Sequence, residues 1–128
     1  MVWYLDTSAF LKLITTEEES PHLRSWFSRQ ESVWSSQLLY TEAIRAGARL
    51  GIDAEVIEEA IEAVSLVLPS AATFFAAARL QPLTLRSLDA VHLATAMEIG
   101  DDLEGMVVYD ERLASAARAA SLAVIAPH

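Results

Sequence analysis

The chain has 128 residues, 53% of them hydrophobic, and a mean hydropathy of +0.30. That is enough apolar content to build the core of one domain over 1–128, and too much for a disordered tail. There is no cysteine, which excludes disulfides, thiolate zinc sites, iron–sulfur clusters and cysteine nucleophiles. Eighteen acids against nine bases leave a formal net charge of −9, which excludes a protein that coats nucleic acid by bulk charge but not an enzyme that acts on it locally.

The elements can be read in chain order. Val2 to Leu5 is a short apolar, β-prone run that ends at Asp6. Thr7 and Ser8 are read as caps of a short helix, Ala9 to Ile14, and Glu17 to Glu19 as a solvated bend. Ser20-Pro21 is a helix start, with Ser20 as N-cap and Pro21 at the first position, and that helix is expected to bury Leu23, Trp26 and Phe27. A short strand is expected at Ser32 to Trp34. A long helix follows from Gln37 to Leu50, stopped by Gly51, with Leu39, Ala43, Ala46 and Leu50 as its apolar stripe. Asp53 caps the next helix, expected to bury Val56, Ile57, Ala60, Ile61 and Val64 while Glu55, Glu58, Glu59 and Glu62 face water.

Ser65 to Leu68 reads as a strand broken by Pro69, and Ala71 to Leu80 as a helix before a Gln81-Pro82 loop. Leu88 to Ile99 is a nearly all-apolar, and therefore buried, helix ended by Gly100. Asp101 to Glu104 is an acidic turn. Gly105 to Tyr109 is a strand ending at Asp110, Glu111 to Ala120 a helix, and Ala123 to Ile125 a last strand. Strands alternating with helices predict α/β: one three-layer domain, helices on both faces of a mainly parallel sheet. The longest uncharged stretch, Ala63 to Ala78, is too short to span a bilayer and holds Pro69. The opening MVWYLD lacks the basic segment of a signal peptide, so a cytoplasmic protein is expected.

Four acids stand out by position. Asp6 and Asp110 each follow an apolar strand directly, which puts both at the carboxyl edge of a parallel sheet, where sites form. Glu42 borders the apolar stripe of its helix. Asp89 opens the most apolar helix of the chain, and His92, one turn on, is read as a satisfied core histidine. The run LDTSAFLKL, a glutamate on a mid-chain helix, RSLDAVHLATA and YDERLASAA occur in that order. Together they resemble the PIN-domain family, and within it the VapC toxins of bacterial toxin–antitoxin pairs, over nearly the whole chain.

The resemblance implies a PIN-like fold and an acidic quartet of Asp6, Glu42, Asp89 and Asp110, with Ser8 supporting the first acid and Thr7 beside it. It also implies an endoribonuclease acting on structured RNA such as tRNA or rRNA, a VapB-type antitoxin that covers the site, and a homodimer. Trp26 or Phe27 would then line the antitoxin's groove. One position departs from the family pattern, which often has threonine two residues before the last acid. Here that residue is Val108, which puts one supporting hydrogen bond in doubt.

The chemistry of the residues points the same way. Two unit charges about 4 Å apart repel by roughly 4 kcal/mol at an effective dielectric near 20, so converging carboxylates must take up protons or a cation. Oxygen ligands without cysteine or histidine favour Mg²⁺ or Mn²⁺. Asp6 and Asp89 are expected as direct ligands, with Glu42 and Asp110 as ligands or as groups that position water. Arg45, Arg49, Arg86 and Arg112 lie near the acids in sequence and are expected to grip phosphates. A receiver domain would need paired acids after the first strand, and a haloacid-dehalogenase phosphatase would need DxD. Asp6-Thr7-Ser8 supplies neither. The remaining alternative is a module of the same fold that binds RNA or protein without cutting.

Overall fold

The apolar run VWYL at Val2–Leu5 forms β1, the middle strand of a five-stranded sheet. A computed structural model describes residues 1–128. The order is β3-β2-β1-β4-β5, where β2 is Val33–Ser36, β3 Ser65–Val67, β4 Leu103–Val107 and β5 Val124–Ile125. Every pairing is parallel, with Leu5 opposite Val107 and Tyr4 opposite both Trp34 and Met106. A central parallel strand is covered on both faces, so β1 is apolar along its length instead of alternating.

Seven helices supply the covers: α1 (Thr7–Ile14), α2 (Ser20–Ser28), α3 (Leu38–Arg49), α4 (Ala54–Ile61), α5 (Ala71–Ala78), α6 (Ser87–Ile99) and α7 (Glu111–Ala119). Successive side chains of a strand point to opposite faces, and two cores follow from that. Leu5, Val33 and Val107 pack with Phe10, Leu23, Leu39 and Ile57 on the α1–α4 side. Tyr4, Met106 and Val108 pack with Leu93 and Leu113 on the α6–α7 side. The expected three-layer α/β/α architecture is what forms. No helix is long and apolar enough to cross a membrane.

Several expected boundaries move. Asp6, not Thr7 or Ser8, is the N-cap of α1, and its side chain accepts the Ala9 N–H. Ser20 lies inside α2, fully buried, with its Oγ accepting the Glu17 N–H. β2 runs through Ser35 and Ser36, beyond the expected Trp34. Both serines are buried, and Ser35 Oγ donates to the Leu5 carbonyl. The acidic turn is a single 3₁₀ turn at Gly100–Asp102, after which Leu103 and Glu104 already belong to β4.

Leu50 and Val56 are exposed, against expectation. The buried stripe of α3 is Leu39, Ala43 and Gly47, and a Cβ on Gly47 would collide with the Ile57 side chain. That close approach of α3 to α4 turns Ile57 and Ile61 inward and leaves Val56 outside. Trp26 and Phe27 pack partly against the core, and Trp26 meets Trp3 edge to face. The exposed large apolar side chains lie elsewhere, among them Leu68, Phe74, Phe75 and Leu83.

Candidate active site

All four acids line one cleft of about 430 Å³. Asp6 and Asp110 enter it from the carboxyl ends of the adjacent strands β1 and β4. Glu42 comes from α3 and Asp89 from the first turn of α6. Thr7, Ser8, Arg45, Arg49, Arg86 and His92 line the same space. Asp110 caps α7 by accepting the Arg112 N–H at Oδ1, and Arg112 lines a separate depression with Pro82 and Thr84. The cleft therefore gathers three of the four arginines expected as phosphate contacts.

Asp6 is 4% exposed and has no cationic partner in ion-pair range. Its Oδ1 accepts from Ala9 N and its Oδ2 from Ser8 Oγ at 2.9 Å. Burial pushes its carboxyl above the usual range, against the opposing pull of the Ala9 N–H, His92 and Ser8. Glu42 is different. Its Oε1 accepts from Thr7 Oγ1 at 2.8 Å and from His92 Nε2 at 2.8 Å. Burial pushes it up as well, but the bonds from His92 and Thr7, with Arg86 nearby, hold it below the usual carboxylate range. So Thr7 is not a cap, as expected from sequence, but a hydrogen-bond donor to a second acid.

The outer pair is held by charge. The Arg86 guanidinium spans Asp89 Oδ2 at 3.1 Å and Asp110 Oδ2 at 3.4 Å. Asp89 and Asp110 raise the Arg86 pKa further above its ordinary value. Val108 is buried in the apolar cluster around Tyr4 and Leu113, so Asp110 takes its hydrogen bonds from Arg112 N–H and Arg86.

His92 is the cleft residue that sequence reasoning undervalues. It is a satisfied core histidine, as expected, but its partners are Tyr4 Oη at 2.7 Å, Glu42 and Thr7. One signal for it exists in the sequence: Asp89 and His92 are three apart on a helix, which puts them on one face.

The donor set suits a hard cation. Four carboxylates face the cleft, His92 is already engaged, and the buried Asp6 carboxylate lacks a countercharge. No three of these side chains are already drawn into a coordinating group, and the positive charge between Asp89 and Asp110 is Arg86.

The PIN domain family model matches residues 3–119. This chain belongs to the PIN-domain family. Within it, the chain is similar to the VapC ribonucleases. It is 38% identical to ribonuclease VapC46 of Mycobacterium tuberculosis over 125 residues, 97% of this chain and 96% of the relative. It is 42% identical to ribonuclease VapC35 of the same species over 139 residues, with the same coverage. Two solved structures share the fold. The crystal structure of M. tuberculosis VapC20, a sarcin–ricin loop cleaving toxin, superposes with a TM-score of 0.76 at 21% identity, covering 98% of this chain and 99% of that one. A toxin–antitoxin complex from Klebsiella pneumoniae gives 0.75 at 16% identity, covering 98% and 97%.

Proposed function

We infer that this PIN-domain protein is a cytoplasmic endoribonuclease toxin of the VapC type. It hydrolyses phosphodiester bonds in structured RNA, tRNA or rRNA, and is controlled by a VapB-type antitoxin. The observation that carries the reading is the convergence of Asp6, Glu42, Asp89 and Asp110 on one cleft at the carboxyl edge of the sheet. Similarity to the VapC ribonucleases supports the activity, and the shared fold with a Klebsiella toxin–antitoxin complex supports control by a bound antitoxin.

Bound Mg²⁺ or Mn²⁺ would supply Lewis acidity and countercharge for the hydrolysis. Asp6 and Asp89 are the residues to hold it. Asp6 is fixed by Ser8 and the Ala9 N–H, and it gains most from a cation because it is buried and unpaired. Glu42 presents Oε2 to the cleft, since both its donors take Oε1. Glu42 and Asp110 complete the ligand set or hold the attacking water. Arg45 and Arg49 stand one turn apart on α3 along the cleft, and Arg86 lines it from the start of α6. They offer forked donors to successive phosphates of an RNA that a chain of net charge −9 would otherwise repel. A homodimer and an antitoxin segment lying over the cleft complete the reading. Trp26 and Phe27 are half-buried against the core, which leaves part of each for such a groove.

The test is RNA cleavage by the purified protein with Mg²⁺ or Mn²⁺, beside EDTA and an Asp6→Asn control. Metal-dependent cleavage lost in the variant supports the reading. Binding of RNA without turnover in either metal replaces it with the non-cutting module.

A further inference from the structure

We propose that His92 is a positioning residue that holds Glu42 so that a single carboxylate oxygen, Oε2, is presented to the cleft. The proposal rests on the nuclease reading above, but its geometry stands on its own. His92 is 1% exposed and touches three elements besides its own: β1 through Tyr4, α1 through Thr7 and α3 through Glu42. An ionised carboxylate only accepts hydrogen bonds. The 2.8 Å contact to Glu42 Oε1 therefore requires the proton on Nε2. The other nitrogen, Nδ1, lies 2.7 Å from Tyr4 Oη, which is itself buried.

The relay then runs in one direction. Tyr4 fixes the ring, the ring Nε2–H and the Thr7 hydroxyl converge on Oε1, and Oε2 has no protein partner. A glutamate has three rotatable bonds, and two donors on one oxygen remove most of that freedom. Asp6 and Asp110 are aimed by their own strand ends and helix caps. Glu42 sits in the middle of α3 with no such device, so its aim depends on His92 and Thr7. A histidine serving only to fill the core would need partners for its two nitrogens, but they would not have to include a cleft carboxylate.

Two measurements test this. The first needs no activity: long-range ¹H–¹⁵N correlation of the histidine rings in the metal-free protein. A protonated Nε2 on His92, whose signal moves in Glu42→Gln while those of His22 and His128 do not, is the expected result. An unprotonated Nε2 overturns the proposal. The second compares cleavage of a total tRNA and rRNA pool by wild type, His92→Leu, His92→Gln and Tyr4→Phe, with folding checked by circular dichroism. Outer partners of a metal-site ligand are worth about 10–100-fold. His92→Leu is expected to lose that much in kcat with KM little changed. His92→Gln, which keeps an N–H near the Nε2 position, should recover part of it, and Tyr4→Phe should lose less. Equal losses in His92→Leu and His92→Gln would mean packing alone and would overturn the proposal, as would full activity in His92→Leu. If wild type cuts no RNA, the nuclease reading fails, and the ring spectrum still decides the positioning role.

Discussion

The inner and outer halves of the acidic cleft solve the same electrostatic problem in different ways. Asp6 and Glu42 are held by uncharged backbone and hydroxyl donors and by an imidazole. Asp89 and Asp110 are held across the cleft by one guanidinium that is itself 72% exposed. Short-range hydrogen bonds aim a carboxylate and are insensitive to salt. An exposed ion pair contributes little stability, is screened by salt, and can exchange partners. The inner half is therefore built for geometry. The outer half can release its cation when a phosphate or metal arrives.

The largest effect that would sharpen this contrast is in the inner half. Asp6→Asn preserves the helix cap, since asparagine caps as well as aspartate, and is expected to lose more than about 100-fold in cleavage rate, beyond the loss typical of an outer partner. Ser8→Ala removes one donor to Asp6 and should cost about 10-fold with the fold intact. A gel-based cleavage assay ranks the two, and comparable losses would break the distinction between acid and support.

Stability against pH gives a smaller effect but a sharper one, because the two inner acids have opposite signs. The Asp6 pKa is raised in the folded state, so the folded protein binds more protons there than the unfolded chain. Its contribution becomes a penalty as pH rises from the ordinary aspartate range through the raised value. The Glu42 pKa is lowered, so its contribution is present above the ordinary glutamate range and fades as pH falls through the lowered value. In EDTA at neutral pH, Asp6→Asn should raise Tm and Glu42→Gln should lower it, each by about 3 °C or more. Both differences should shrink toward pH 3. Melting curves of the two variants across pH 3–8 check this, and shifts of the same sign would refute the division.

The smallest stability effect belongs to the outer half. Arg86→Gln should change Tm by no more than about 2 °C, as expected for an exposed pair. In a filter-binding titration, the log–log salt slope of RNA affinity should fall by about one. An unchanged slope would mean that Arg86 stays with Asp89 and Asp110 when RNA binds.

Much of this arrangement is legible in the sequence, for identifiable reasons. Apolar runs ending in aspartate mark β1 with Asp6 and the β4 region with Asp110, because a buried parallel strand must be apolar and must end at the sheet edge. The seven consecutive buried residues Ala90 to Ala96 appear as unbroken apolarity relieved only by His92 and Thr95. β2 is less visible because Ser35 and Ser36 are buried through hydrogen bonds instead of hydropathy. Periodicity puts Leu50 and Val56 inside because it does not show that Gly47 is the contact point between α3 and α4. The Tyr4–His92–Glu42 relay joins residues from three distant segments, and no local pattern encodes such a meeting. Proximity along the chain suggests Arg112 for the acids' cleft, whereas in the fold its backbone N–H caps with Asp110 and the residue lines a different depression.

The sheet order has a consequence for when the protein becomes dangerous. β1 is the first of the five strands to leave the ribosome, yet it pairs on one side with β4, so that Leu5 waits for Val107. Asp6 is translated long before Asp89 and Asp110. A chain still in synthesis has no cleft, because half its acids and the strand that orients the last one are still unmade or unpaired. The topology itself thus delays assembly of the cleft until β4 and Asp110 have been made, and it does so without any inhibitor.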